Sequence, residues 1–183
     1  MVEGLAPVFR RKRILVTGHT GFKGAWLVQW LTALGAEVTG IALPGAVSEP
    51  NLFTLAGLTK SCDDLRFDIR DAAKVTQTVA QLRPELVFHL AAQALVGRGY
   101  TDPAGTFSTN VLGTANVLAA ARGRGIAGAV IVTSDKVYRN DESGRPFRER
   151  DPLGGRDPYS ASKAAAEMVV EGYRGLPGMP PIV

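Results

Sequence analysis

Residues 13–35 read RILVTGHTGFKGAWLVQWLTALG. An aliphatic run passes into three glycines spaced by three, Gly18, Gly21 and Gly24, and then into an apolar segment closed by Gly35. RILVT (13–17) predicts a buried strand, and FKGAWLVQWLTALG (22–35) a helix. A glycine turn between strand and helix lets the backbone approach a pyrophosphate, whose charge meets the unpaired N–H groups and positive dipole at the helix start. The G-x-x-G-x-x-G spacing is one residue longer than the commonest dinucleotide fingerprint, and glycines at such a junction can also simply make a turn. The flanking strand and helix favour the phosphate cradle, with Phe22 and Lys23 at the helix start as part of it. His19 and Thr20 read as turn residues, and Trp26 and Trp30, four apart, as core packing.

Working outward, β-branched runs alternate with amphipathic ones. EVTGIAL (37–43), DLRFD (64–68), ELVFHLA (85–91) and AVIVTS (129–134) read as strands two to five. Between them Asp71 caps a helix over AAKVTQTVAQL, a long helix covers about 104–122, and DPYSASKAAAEMVVEGYR (157–174) begins a last helix with Asp-Pro. This alternation implies βαβ units and an α/β fold of the Rossmann type, a doubly wound parallel sheet. Residues 1–12 read as an N-terminal extension, 13–175 as the dinucleotide-binding domain and 176–183 as the start of a continuation.

Composition sets the class. With 183 residues, 45% hydrophobic and 21% charged, the chain can bury one substantial core. No apolar run approaches the roughly 20 residues of a membrane helix. The N-terminal MVEGLAPVFRRKR lacks the apolar core of a signal peptide, and Cys62 is the only cysteine, so a reducing, cytoplasmic setting is expected. The net charge of +4 comes partly from Arg10, Arg11, Lys12 and Arg13. That cluster abuts a strand and lacks interleaved aromatics, so it reads as a solvated flank and not a nucleic-acid site. No metal site is assigned.

The second strand ends Ile41-Ala42-Leu43-Pro44, with neither an acidic residue to grip the adenosine ribose nor Arg or Lys to meet a ribose phosphate, which favours NAD over NADP. Asp68 and Ile69, after the third strand, are placed to meet the adenine, although a lone Asp there is also a common cap. Ala91, Ala92 and Gln93 end the fourth strand with small residues against which a cofactor can lie; His89 before them reads as half-buried and satisfied. Tyr159 and Lys163 share a helix face at i and i+4, about 6 Å apart at Cβ. A phenol with a pKa near 10 is a poor base at pH 7, and a neighbouring ammonium and a cationic nicotinamide favour its ionised form. Thr133, ending the fifth strand, can add a hydroxyl to the same substrate oxygen. Y-x-x-x-K alone also arises by chance; the glycine loop upstream makes the pair functional.

Together G-x-x-G-x-x-G, AAQ, TSDK and PYSASK resemble the nucleotide-sugar branch of the extended short-chain dehydrogenase/reductases. VTGHTGFKGAWL, FHLAAQALV, VTSDKVY and DPLGGRDPYSASKAAAE are similar to the CDP-glucose 4,6-dehydratase family, over about residues 11–174. The resemblance implies a resident NAD, oxidation at the sugar C4, loss of water across C5 and C6, and hydride return to C6. It makes Tyr159 the base for the C4 hydroxyl, Lys163 the holder of the nicotinamide ribose, Thr133 a hydrogen-bonding partner of the reacting hydroxyl and Asp135 the acid for the departing C6 hydroxyl. Lys136 falls where related dehydratases have a glutamate for the C5 proton; Asp135-Lys136 can otherwise be a surface ion pair. The resemblance further implies a homodimer through the helices at about 104–122 and 159–174, with Ala115, Leu118, Ala119, Ala165 and Val169 either at that contact or facing the sheet.

Two features depart from the pattern. VGRGY (96–100) stands where the family resembles VRLSY, which bears on substrate contacts of that loop. GLPGMPPIV ends the chain where a further strand is expected, before the domain that grips the nucleoside diphosphate. The alternatives are another nucleotide-sugar epimerase or reductase, or a dinucleotide-binding fragment without turnover.

Overall fold

The computed structural model describes residues 4–45 and 50–183. In chain order its elements are α1 (Ala6–Phe9), β1 (Arg13–Thr17), α2 (Phe22–Ala33), β2 (Glu37–Ala42), α3 (Leu52–Leu55), a 3-10 turn (Leu58–Lys60), β3 (Asp63–Arg66), α4 (Ala72–Leu82), β4 (Leu86–His89), α5 (Val96–Thr101), α6 (Pro103–Phe107), a π-turn (Ser108–Leu112), α7 (Gly113–Ala121), β5 (Gly128–Ile131), a second 3-10 turn (Asp135–Val137) and α8 (Pro158–Arg174). The strands pair in parallel in the order β3-β2-β1-β4-β5. The order reverses at β1, so a crevice opens between the carboxyl ends of β1 and β4, where such sheets bind ligands.

A parallel sheet must be covered on both faces, and β1 shows how. Ile14 and Val16 join Ala25, Val28 and Leu31 of α2 and Phe53 of α3 on one face. Leu15 joins Val75 and Val79 of α4 and Val117, Ala120 and Ala121 of α7 on the other. Leu118, Val170 and Ile182 tie α7 to α8 and to the chain's last residues. There Ile182 pairs in parallel with Ala129, and Ile131 N donates to Val183 O at 2.8 Å. Side-chain caps start the helices: Asp71 Oδ1 accepts from Lys74 N, and Asp102 and Asp157 do the same ahead of Pro103 and Pro158. At the opposite edge from the crevice, Glu85 binds Lys12 Nζ at 2.7 Å and Arg13 N at 3.1 Å, so part of the basic flank anchors β1 to β4.

The expected packing of α2 is corrected. Trp26 and Trp30 are 55% and 45% exposed, on one face with exposed Phe22. The buried stripe of α2 is Gly24, Ala25, Val28 and Leu31, because the helix start lies so near the glycine loop that a Cβ on Gly24 would sit 2.1 Å from Gly18 O. Small residues are needed there, and the indoles are turned outward. The helix expected over 104–122 is present as α6, the π-turn at Ser108–Leu112 and α7 in unbroken succession, and a π-turn commonly marks functional sites. His19 and Thr20 are turn residues that are also buried.

Candidate active site

The glycine crossing brings the backbones of Gly18 and Ala91 together in the crevice. Gly18 has φ +75°, and a Cβ there would stand 2.7 Å from Ala91 N. Gly21 is the N-cap of α2, which has no side-chain cap and no acidic residue in its first turn. The N–H groups of Phe22, Lys23 and Gly24 thus meet no capping side chain, and Lys23 adds a positive charge. That is the donor set a pyrophosphate needs.

Beneath it runs a buried chain of hydrogen bonds. Ala91 N donates to Thr17 Oγ1 at 3.2 Å, Thr17 Oγ1 lies 2.6 Å from His89 Nδ1, and His89 Nε2 lies 3.0 Å from Thr114 Oγ1. Thr114 gives its one proton to Asn110 O at 2.7 Å, so it accepts from His89, whose proton is therefore on Nε2 while Nδ1 accepts from Thr17. His89 is fully buried, not half-buried, and burial, then the charge of Lys163, pushes its pKa down to about 3. Asn110, within the π-turn, accepts from Gln93 N at 2.8 Å and donates to Gln93 O at 3.1 Å and Ser162 Oγ at 2.8 Å. Ser162 Oγ in turn donates to Tyr159 O at 2.7 Å. The Gln93 side chain is engaged with Leu95 and Thr106, so it braces its own loop.

α8 brings Tyr159 and Lys163 to this crevice, both more than nine-tenths buried. Gly99 packs on Tyr159: a Cβ there would lie 3.2 Å from Tyr159 N, which gives the departure at residues 96–100 a structural meaning. Lys163 Nζ donates to Val132 O at 3.2 Å. Burial lowers its pKa to about 8, with Glu167 opposing and Lys23 adding to the shift. Thr133 Oγ1 donates to Glu167 Oε1 of α8, so it is not aimed freely at a shared substrate oxygen. Asp135 and Lys136 are exposed on the 3-10 turn that packs on α8. No ion pair joins them among the described residues; the charge of Lys136 is felt at Asp157.

On the other side of the crevice, His19 lies over β2 because Gly40 has no Cβ, which would fall 2.2 Å from its ring. Its Nε2 meets Asp64 Oδ1 at 2.9 Å and its ring meets Phe53 edge-on, with centroids 5.0 Å apart. Burial lowers its pKa, more than Asp64 raises it. Asp64 is also forked by Arg66, whose Nη1 lies 3.4 Å from both Leu43 O and Gly45 O. The expectation that no cation reaches the end of β2 is therefore corrected: one arrives from β3. Asp68 is held by Arg70 through Nε, Nη2 and the backbone N. The Ile69 side chain is buried against Gly113, and its carbonyl accepts from Asn116 Nδ2 at 3.0 Å. The sequence reading missed Glu167, Asn110 and Arg66. Glu167 stands four residues beyond Lys163, a detectable spacing; the other two act from elements whose proximity only the fold reveals.

A 3-2-1-4-5 parallel sheet, an uncapped helix start behind a glycine crossing, and a buried Tyr-Lys pair define a Rossmann-type dinucleotide-binding domain. The chain belongs to the GDP-mannose 4,6 dehydratase family, whose model matches residues 15–183. It is 48% identical over 164 residues to CDP-glucose 4,6-dehydratase of Salmonella typhimurium, covering 89% of this chain and 45% of the relative. Among solved structures it is similar to DesIV, the dTDP-glucose 4,6-dehydratase of Streptomyces venezuelae with NAD and TYD bound, at 31% identity and TM-score 0.78, covering 88% of this chain and 51% of that one. It is similar also to UDP-glucose 4-epimerase of Thermus thermophilus in complex with NAD, at 34% identity and TM-score 0.77, covering 88% and 50%. The chain spans about half the length of the curated relatives it matches.

Proposed function

We propose that this chain carries the NAD-binding and catalytic half of a sugar-nucleotide 4,6-dehydratase that converts CDP-glucose to CDP-4-keto-6-deoxyglucose. The observation that carries the reading is the burial of Tyr159 and Lys163 on α8, with Lys163 near enough to Lys23 of the glycine loop to feel its charge and Asp135 on the 3-10 turn against the same helix. The identity to the Salmonella enzyme supports the sugar nucleotide. The uncapped start of α2 and the bare meeting of Gly18 with Ala91 fit a dinucleotide. When bound, NAD supplies the hydride acceptor for C4 and the donor for C6.

Tyr159 takes the C4 hydroxyl proton, and the Lys163 ammonium, largely charged below pH 8, holds the nicotinamide ribose. Thr133, its own proton on Glu167, meets the C4 hydroxyl as an acceptor and holds it until the proton passes to Tyr159. Asp135 protonates the leaving C6 oxygen. Lys136, whose charge is felt at Asp157, serves the C5 step by that charge. Gly18, Gly21, Phe22, Lys23 and Gly24 hold the pyrophosphate, Asp68 and Ile69 the adenine, and Ala91 and Ala92 the face of the cofactor, with Gln93 bracing the loop. A homodimer forms through α6, the π-turn, α7 and α8, which expose Phe107, Leu112 and Met168; Leu118 is core and drops out of that contact. No described helix is long and apolar enough to cross a membrane, and a cytoplasmic setting suits the free thiol of Cys62.

Single turnover of the full-length protein with CDP-glucose, followed by nicotinamide absorbance and product mass together, tests the reading. Tyr159→Phe should leave NAD oxidised and the sugar untouched. Asp135→Asn should accumulate NADH and a 4-keto sugar that keeps its C6 oxygen, slowed about a hundredfold to ten-thousandfold in elimination. Dehydration at the parent rate by Asp135→Asn, or epimerisation without loss of water, refutes it.

A further inference from the structure

Tyr159, Lys163 and Glu167 follow at intervals of four along α8, so their side chains share one face of the helix. Lys163 and Glu167 stand at a spacing that ordinarily lets a lysine and a glutamate pair, yet no ion pair joins them among the described residues. We propose that Glu167 is a positioning residue that acts through Lys163: tethered by Thr133 beside the ammonium but not paired with it, its carboxylate keeps the cation in place with protons left for the nicotinamide ribose. The inference rests on Lys163 being the residue that holds that ribose.

Just past β5, Val132 and Thr133 each hold one charge of α8. Lys163 Nζ donates to Val132 O at 3.2 Å, and Glu167 Oε1 accepts from Thr133 Oγ1 at 2.5 Å. A carboxylate accepts and cannot donate, so Thr133 spends its one proton on Glu167, whereas the ammonium spends one of three on Val132 and keeps two. A direct salt bridge would take up those protons. Held on Thr133, the carboxylate acts on the ammonium by charge alone. Glu167 is partly buried, so water screens that charge less than it would at the surface.

Little else there favours the cation. Burial lowers the Lys163 pKa most, and Lys23 of the glycine loop lowers it further, while Glu167 raises it. His89 feels the charge of Lys163 and is itself neutral above about pH 3. α6, the π-turn and α7, which pack on α8, carry no titratable side chain. Arg98 of α5 and Asp135 and Lys136 of the 3-10 turn also lie on elements packed against α8, but they are exposed and screened by water.

Calorimetric titration of the nucleotide-stripped full-length protein with NAD between pH 6.5 and 9.5 reads the protonation of Lys163 without turnover. For the parent, affinity should fall by about tenfold or more as pH rises through about 8, where the ammonium gives up its proton. Glu167→Gln keeps an acceptor for Thr133 and drops the charge, and should move that fall to lower pH by about half a unit or more. Glu167→Asp restores the charge and should bring the fall back toward the parent's pH. Thr133→Val releases the carboxylate onto the ammonium, so the fall should move to higher pH while NAD binds about threefold or more weakly at pH 7. Should Glu167→Gln fail to fold, Thr133→Val decides alone. A fall unmoved in Glu167→Gln, an Asp variant that behaves as the Gln variant does, or a Thr133→Val protein with the parent's affinity and the parent's fall each overturns the inference. If the parent binds NAD with no fall near pH 8, or binds none, the placing of Lys163 on the ribose fails and this inference with it; if the parent shows the fall and the variants do not move it, this inference alone fails.

Discussion

Lys163 is held at a cost that can be removed. Its pKa falls from 10.5 to about 8, chiefly through burial, a difference worth about 3 kcal/mol. Below pH 8 folded and unfolded chains both hold the proton and the burial cost stands in full. Between pH 8 and 10.5 the folded protein releases a proton that the unfolded chain keeps, so this contribution makes stability rise with pH across that window. Lys163→Met keeps an unbranched side chain of similar length without the charge. It gives up the bond to Val132 O, worth about 1 kcal/mol, so the net gain at pH 7 should be about 2 kcal/mol. For a chain of this size that raises the melting temperature by about 4–8 °C, while dinucleotide binding and turnover are lost. Urea denaturation of parent and variant at half-unit steps from pH 7 to 9 measures both effects. The window stops at 9 because Cys62, whose thiol is pushed up to about 11 by burial and then by Asp64 and Asp63, acts with the opposite sign above that: the unfolded thiol ionises first and stability falls. A variant less stable than the parent at pH 7, or one that keeps the parent's rise, refutes the reasoning.

Other substitutions test the frame of the site. His89→Leu should cost about 2 kcal/mol in denaturant titrations, because it leaves the Thr17 hydroxyl without its buried acceptor. It should also abolish the part of the parent's acid destabilisation between pH 6.5 and about 3 that arises because unfolded, but not folded, His89 takes up a proton there. Gly18→Ala combines φ +75° with a Cβ 2.7 Å from Ala91 N, so it should destabilise by about 3 kcal/mol or more in thermal melts and lose dinucleotide binding by titration. Trp26→Gln and Trp30→Gln should each stay within about 0.5 kcal/mol of the parent, as solvent-facing positions do; a loss of several kcal/mol would restore the core reading.

The parallel sheet was legible because each strand is a short aliphatic run and each main crossover helix starts or stops on Asp, Pro or Gly; β1 and α8 fall where their patterns put them, and α2 begins where its pattern does. Side-chain direction on α2 was not. A segment apolar all round gives no stripe to read, and which face turned inward depended on how near α2 runs to Gly18. The Tyr159–Lys163 pair was legible because it is local. Arg66 was hidden for the opposite reason: the end of β2 was read along its own strand, whereas the cation crosses from β3 through the pairing of Ala42 with Arg66. Asn110 lay within what read as an ordinary long helix, and sequence spacing gives no sign of a π-turn.

The buried polar chain from Ala91 to Tyr159 explains why the two legible pieces belong together. A core of this kind is usually aliphatic, and Thr17, His89, Thr114, Asn110 and Ser162 sit in it at 3% exposure or less. Each could be lost to a hydrophobic residue of similar volume with little harm to stability if its partner were changed as well. What an aliphatic core cannot do is fix direction. Thr114 has one proton and gives it to Asn110 O, which sets the His89 tautomer, and that in turn sets Thr17 to accept from Ala91 N, where the backbone meets Gly18. At the other end the Asn110 amide holds Gln93 and Ser162, and Ser162 holds the carbonyl of Tyr159. One set of directed bonds thus places the wall of the glycine crossing and the first turn of α8 in a single frame. Proton and hydride transfer tolerate little misplacement of their groups, and a frame fixed by directed hydrogen bonds holds that geometry more narrowly than apolar contact.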